Sequence, residues 1–155
     1  VLVLVWYRIL IYQQMDTSTF FIKSYFSGGI INLTPKDAFA LAKEGKAIIV
    51  DVREQSFTAY KQFDVPTVIY CPASVLADNT EIIPKDIAVI LADSTGIHSH
   101  EAFIILKDAG YTNIANLAGG IVEWERDGLP IKVDYWEQLD GSCTCQLKFR
   151  NRLKK

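Results

Sequence analysis

The stretch Leu91-Ala92-Asp93-Ser94-Thr95-Gly96-Ile97-His98-Ser99 joins an apolar run, residues 87–91, to a segment with helical spacing. The run has the composition of a strand buried on both faces. From Ser99 onward, Ala102, Phe103, Leu106 and Ala109 recur on one side of a helix that Gly110 ends. In a loop between such elements, Gly96 is free to take a positive φ and to turn successive N–H groups inward. Added to the helix N-terminus, the loop forms a cradle for an anion or a thiolate. Ser, Thr and Gly also cap helices routinely, so the composition of the loop leaves a purely structural role open.

The pattern repeats on either side. Upstream, Thr34-Pro35 supplies an N-cap and a first-position proline; Ala38, Leu41 and Ala42 share one face, and Gly45 stops the helix. Ala47-Ile48-Ile49-Val50 reads as a buried strand, residues 56–62 as helical, and Thr67-Val68-Ile69-Tyr70 as a strand closed by Pro72. Downstream, residues 113–117 form a strand, and Gly119-Gly120 turns into a short helix ending at Gly128-Leu129-Pro130. Strands alternating with helices predict an α/β fold whose mostly parallel sheet is covered on both faces. Ligands in such folds sit where strands end and helices begin. That singles out Asp51, Val52, Arg53 and Glu54, together with the loop from Asp93.

At 155 residues the chain is one domain, able to bury a core without disulfides or metal. With 50% hydrophobic residues, nine Gly and five Pro, it is neither disordered nor collagen-like. All of residues 1–12 except Arg8 are apolar or aromatic. A bilayer span needs about 20 such residues, and the basic start and cleavage site of a signal peptide are missing. The segment reads as a truncated anchor, a buried extra element, or sequence ahead of a start at Met15, the chain's only Met. The third reading is preferred; it makes residues 1–14 dispensable and residues 20–26 a short amphipathic lead-in. A cytoplasmic setting is expected, with membrane association through residues 1–14 as the alternative.

Lys148, Arg150, Arg152, Lys154 and Lys155 put five positive charges in the last eight residues and leave the body at −7. Such a tail reads first as a solubilising terminus, and no basic, aromatic-interleaved surface for nucleic acid precedes it. Three cysteines, Cys71, Cys143 and Cys145, do not make a secreted disulfide framework. Cys143-Thr-Cys145 is too tightly spaced for an ordinary zinc knuckle, and His98 and His100 do not complete a metal site. No metal or cofactor is expected. The expected organisation is an extension over residues 1–30, a domain over 31–133 and a Cys-containing basic tail over 134–155.

Several blocks together resemble a known family. Leu33-Thr34-Pro35, Asp51-Val52-Arg53-Glu54, the Asp93 loop, Leu117-Ala118-Gly119-Gly120-Ile121-Val122-Glu123-Trp124 and Gly128-Leu129-Pro130-Ile131 occur in the order seen in single rhodanese-like domains. The 26-residue separation of Asp93 from Gly119 also fits. The resemblance implies a five-stranded parallel sheet flanked by helices. Active members of that family move sulfane sulfur from a donor such as thiosulfate, through a persulfide on a loop cysteine, to cyanide or another thiol. The family loop begins with that cysteine, where Asp93 stands here. Gly96 and Ser99 match the family loop, and His98 replaces its arginine. Phe63-Asp64-Val65-Pro66-Thr67 departs from the usual Gly-His-Ile-Pro-Gly, after a connection about two residues longer than usual.

A carboxylate cannot form and release an S–S bond, so Asp93 removes the transfer step itself. Its expected place is at the focus of the inward N–H groups, filling the anion site from within. The resemblance therefore implies a catalytically inactive domain with a binding, regulatory or scaffold role, and a protein or a small sulfur compound as partner. An alternative is sulfur handling by Cys143 and Cys145, whose thiolates Lys148 and Arg150 would favour. A phosphoryl-accepting Asp93 lacks neighbouring carboxylates for Mg²⁺ beyond Glu101, and a phosphatase-like domain would miss the same cysteine. Cys71 reads as core and Trp124 as a core anchor. Asp51 and Arg53 are expected to pair or to bond loop backbone.

Overall fold

The computed structural model describes residues 23–141 and 148–149. The chain enters as a hairpin of β1 (Tyr25–Ser27) and β2 (Ile30–Leu33), then forms α1 (Pro35–Lys43) and β3 (Ala47–Asp51). Next come α2 (Gln55–Tyr60), β4 (Lys61–Phe63), β5 (Val68–Tyr70), α3 (Ala73–Leu76) and a 3₁₀ turn, Thr80–Ile82. The second half runs through β6 (Ala88–Ala92), α4 (Ser99–Asp108), β7 (Ile114–Leu117), α5 (Gly120–Arg126) and β8 (Ile131–Val133). A second 3₁₀ turn, Tyr135–Glu137, leads to β9 (Leu139–Asp140), which pairs with β10 (Lys148–Phe149).

The central sheet has the order β1-β2-β7-β6-β3-β5. Five strands, β2, β7, β6, β3 and β5, are mutually parallel, as the resemblance implied. The sixth, β1, was not anticipated as a strand: it adds antiparallel to the β2 edge, with Tyr25 opposite Asn32. It takes in Tyr25 and Phe26, which the sequence suggested as part of a lead-in. Both are exposed, so the strand has no amphipathic pattern to reveal it.

Period-two alternation along the central strands divides the core between the two faces. Ala47 and Ile49 of β3 join Ala88, Ile90 and Ala92 of β6 on the side covered by α1 and α5. Ile48 and Val50 join Val89 and Leu91 on the side covered by α3 and α4. Trp124 anchors the first face. It is fully buried, meets Phe39 and Phe63 edge-on at 5.7 and 5.1 Å, and donates its indole N–H to the Pro130 carbonyl at 2.9 Å.

One local expectation fails. The helix predicted over residues 56–62 stops at Tyr60, and Lys61–Phe63 turns into β4, antiparallel to β8 with Phe63 opposite Ile131. Phe63 is buried against Trp124, and the Lys61 carbonyl accepts from Arg53 Nη2 at 2.8 Å. These distant partners override a short window of helical spacing.

Because the five strands run in one direction, their C-terminal ends share one edge of the sheet. Asp51 closes β3 and Asp93 follows β6 there, and β3 and β6 are direct neighbours, with Asp51 beside Ala92.

Candidate functional site

The loop between β6 and α4 is closed around the side chain of Asp93, which is 2% exposed. Its Oδ1 accepts from the Thr95 N–H at 3.1 Å and from the Gly96 N–H; its Oδ2 accepts from His98 at 2.6 Å and Ser99 at 3.2 Å. His98 is the N-cap residue of α4, yet its side chain makes no capping bond. The carboxylate of Asp93 does that work from five residues upstream. It meets N–H groups that have no partner inside the helix, and it places negative charge at the positive end of the helix dipole.

The outer side of the loop is fixed by α5. Carbonyls of Asp93 and Ser94 accept from the N–H groups of Ile121 and Val122 at 3.0 and 3.2 Å, using the free donors of that helix's first turn. This requires backbone to lie directly on backbone. A Cβ on Gly96, which has φ +84°, would stand 2.8 Å from the Gly119 nitrogen; one on Gly120, at φ +56°, would run into the Asp93 carbonyl. Gly120 of the Gly119-Gly120 pair therefore serves close approach to the loop, while Gly119, at φ +72°, turns the chain into α5.

A second cluster closes the neighbouring strand. Arg53 grips Asp51 through both carboxylate oxygens, Nε to Oδ1 at 2.9 Å and Nη2 to Oδ2 at 2.6 Å. The pair is almost wholly buried. Because Nη2 also reaches the Lys61 carbonyl, the pair ties the end of β3 to the start of β4. Between the two clusters lies a cavity of about 380 Å³, lined by Arg53, Glu54, Phe57, Thr95, His98 and Glu101 around Asp93. The His98 ring is exposed at its wall, and no free thiol faces it among the described residues. Cys71, the free cysteine among the described residues, is buried in the core, where burial and then the Glu81 carboxylate push its thiol up.

The structure thus brings Asp93, Ser94, Thr95, Gly96, Ile97, His98 and Ser99 into one closed loop, with Arg53 across the cavity and Asp51 buried behind it in the ion pair. Cys143, Cys145 and residues 1–14 lie outside the described residues. Seven residues, 141–147, join the paired ends of β9 and β10, and β9 packs against α2, whose Phe57 lines the cavity. Among the described residues no group of His, Cys, Asp and Glu side chains could hold a metal ion, and no helix is long and apolar enough to cross a membrane.

Sequence reading missed two buried asparagines. Asn116 Nδ2 donates to Asn32 Oδ1 at 2.8 Å and to the Gly96 carbonyl at 3.3 Å, and Asn116 Oδ1 accepts from the Ser99 hydroxyl. A signal was present: Ile31-Asn32-Leu33 and Ala115-Asn116-Leu117 each set a polar amide inside an apolar strand. A buried amide needs partners, and two such amides point to one another.

Comparison with known proteins agrees with the topology. The profile of the rhodanese-like domain family matches residues 34–127. A sulfurtransferase of Allochromatium vinosum is 34% identical over 91 residues, 59% of this chain and 83% of that protein. The thiosulfate sulfurtransferase GlpE of Actinobacillus succinogenes is 25% identical over 103 residues, 66% of this chain and 91% of that protein. Among solved structures, a rhodanese-related protein of Thermoplasma volcanium superposes with a TM-score of 0.59 at 23% identity, covering 66% of this chain and 98% of that one. Five parallel strands with helices on both faces, a strand-to-helix loop folded into an anion cradle, and a family match over residues 34–127 lead to one assignment: the chain belongs to the rhodanese-like domain family.

Proposed function

We propose that this rhodanese-like domain is silent as a sulfurtransferase at its loop and acts as a binding, regulatory or scaffold module for a protein or a small sulfur compound. The observation that carries the reading is the Asp93 carboxylate, which takes up four inward N–H groups of the loop. In sulfur transfer a thiolate attacks the outer sulfur of thiosulfate, forms a persulfide and releases sulfite. A carboxylate oxygen offers no equivalent step, because the acceptor must be a soft sulfur that later gives the atom up. An internal anion at the focus of the donors also competes with any external one. Neither nucleic acid nor membrane enters this reading.

A thiosulfate:cyanide assay tests it. The wild-type chain is expected to form no thiocyanate above the uncatalysed rate, and Asp93→Cys to gain measurable transfer because the scaffold around position 93 is complete. Thiocyanate formed by the wild type would overturn the reading.

A second reading assigns sulfur handling to Cys143 and Cys145. It is supported by the sequence, where Lys148 and Arg150 follow both cysteines closely and favour their thiolate forms. It expects a mass gain of one sulfur on that segment after incubation with a persulfide donor, and wild-type activity lost on replacing both cysteines by Ser.

A further inference from the structure

The Asp93 loop is held from behind by a chain of buried amides. Asn32 in β2 and Asn116 in β7 are 7% and 3% exposed and lie opposite each other in the parallel register. Asn32 Nδ2 donates to the carbonyls of Ser27 at 3.1 Å and Ile30 at 3.0 Å, which fixes its oxygen toward Asn116. Asn116 then donates to Asn32 Oδ1 and to the Gly96 carbonyl, and accepts from the Ser99 hydroxyl. Both of its N–H donors and its carbonyl oxygen are in use.

Where these bonds land is informative. Thr95 and Gly96 donate to one oxygen of Asp93, and His98 and Ser99 to the other. The peptide unit between Gly96 and Ile97 links the two donor pairs. A peptide is planar, with its C=O and N–H pointing in opposite directions, so fixing the carbonyl fixes the rotation of the whole unit. Gly96 itself has no side chain to resist that rotation, and glycine is the residue that tolerates it most easily. An external hold is therefore needed, and Asn116 supplies it. Ser99 is held twice, by its N–H on Asp93 and by its hydroxyl on Asn116.

We propose that Asn116 is a positioning residue that holds the Gly96–Ile97 peptide and Ser99 so that the loop donors converge on position 93, whatever group stands there. The proposal rests on reading the Asp93 loop as the site of this domain, and it adds the device that shapes that site.

The test uses the full chain in two backgrounds. In the wild type, Asn116→Ala is expected to move the Gly96 and His98 amide protons upfield in ¹H–¹⁵N spectra as their bonds to Asp93 lengthen. The Trp124 indole resonance, in the core on the opposite face of the sheet, stays in place. In Asp93→Cys, converging N–H groups stabilise a thiolate, so adding Asn116→Ala should slow alkylation of the thiol at position 93 by iodoacetamide about tenfold at pH 7 and shift its pH profile upward. Peptide-resolved mass spectrometry separates this thiol from Cys71, Cys143 and Cys145. Asn116→Ser is smaller, keeps a hydroxyl toward Ser99 and loses the bond to Gly96; it gives the same readouts should the alanine variant not fold. A folded variant with unchanged amide shifts and an unchanged alkylation profile overturns the proposal while leaving the inactive reading intact. Thiocyanate formation by the wild type overturns that reading and leaves the role of Asn116 standing.

Discussion

An aspartate ringed by backbone donors is a structural member as well as a chemical one. Each oxygen of Asp93 faces two N–H groups, and the residue is 2% exposed. Asp93→Asn keeps the shape but turns one oxygen into an NH₂ group facing two donors. Those donors lose their acceptor in a buried place, and the charge opposite the α4 N-terminus disappears. The expected loss is about 1–3 kcal/mol, seen as a lower midpoint in chemical denaturation at pH 7. An unchanged midpoint would mean that the loop donors find water as readily as the carboxylate, so the cradle would not be closed in solution. Much at this scale was legible in the chain. The loop donors lie two to six residues from Asp93, and Arg53 lies two from Asp51. Short-range geometry of this kind follows from a strand-to-helix turn. The Asn32–Asn116 contact spans 84 residues, and it requires the strand order before it can be drawn.

Elements were legible where their own residues carried the pattern. The Thr34 N-cap, with its hydroxyl accepting from the Asp37 N–H, and the proline after it announced α1. The buried runs announced β3 and β6, because a strand covered on both faces is apolar throughout. β4 and the 3₁₀ turn Thr80–Ile82 were not legible, since each is held by distant groups. The turn is pinned from beyond the end of α4: Tyr111 shares its one hydroxyl proton between the carbonyls of Thr80 at 2.5 Å and Ile83 at 2.6 Å. Burial raises the Tyr111 hydroxyl above its ordinary pKa, and the Glu81 carboxylate adds to the shift. A phenol whose pKa is raised by folding is favoured in its neutral form. Its contribution is complete below about pH 10 and lost as pH climbs through the raised value. Removing the hydroxyl should therefore cost about 1 kcal/mol at pH 8 and progressively less toward pH 11, so the alkaline limb of Tyr111→Phe is flatter than that of the wild type. Tyr70, raised mainly by its own burial, keeps part of that limb in both proteins. Parallel limbs, measured by urea denaturation across this range, would show that the hydroxyl bonds do not hold the turn.

At the scale of the whole molecule, two cores share one sheet. The same backbone of β3 and β6 sends Ile49 and Ile90 to one face and Val50 and Leu91 to the other, so both cores are built on the same paired strands. The loop around Asp93 spans this division. It leaves β6 in the middle of the sheet, enters α4 on one face, and is bonded by the first turn of α5 on the other. The site is therefore expected to melt with the domain rather than before it, which can be examined by injuring one face and watching the other. Leu106 of α4 is wholly buried on the face opposite Trp124. Truncation to alanine removes its packing and leaves a cavity, at a cost of about 2–5 kcal/mol. If the domain unfolds as one unit, Leu106→Ala lowers the denaturation midpoint reported by Trp124 fluorescence as much as that reported by far-ultraviolet circular dichroism. The comparison is made with Trp6 and Trp136 replaced by Phe, so that emission comes from Trp124 alone. A Trp124 transition that stays at the wild-type midpoint while the dichroism shifts would separate the two faces. The Asp93 loop, bonded to both, would then have to open at the weaker of them.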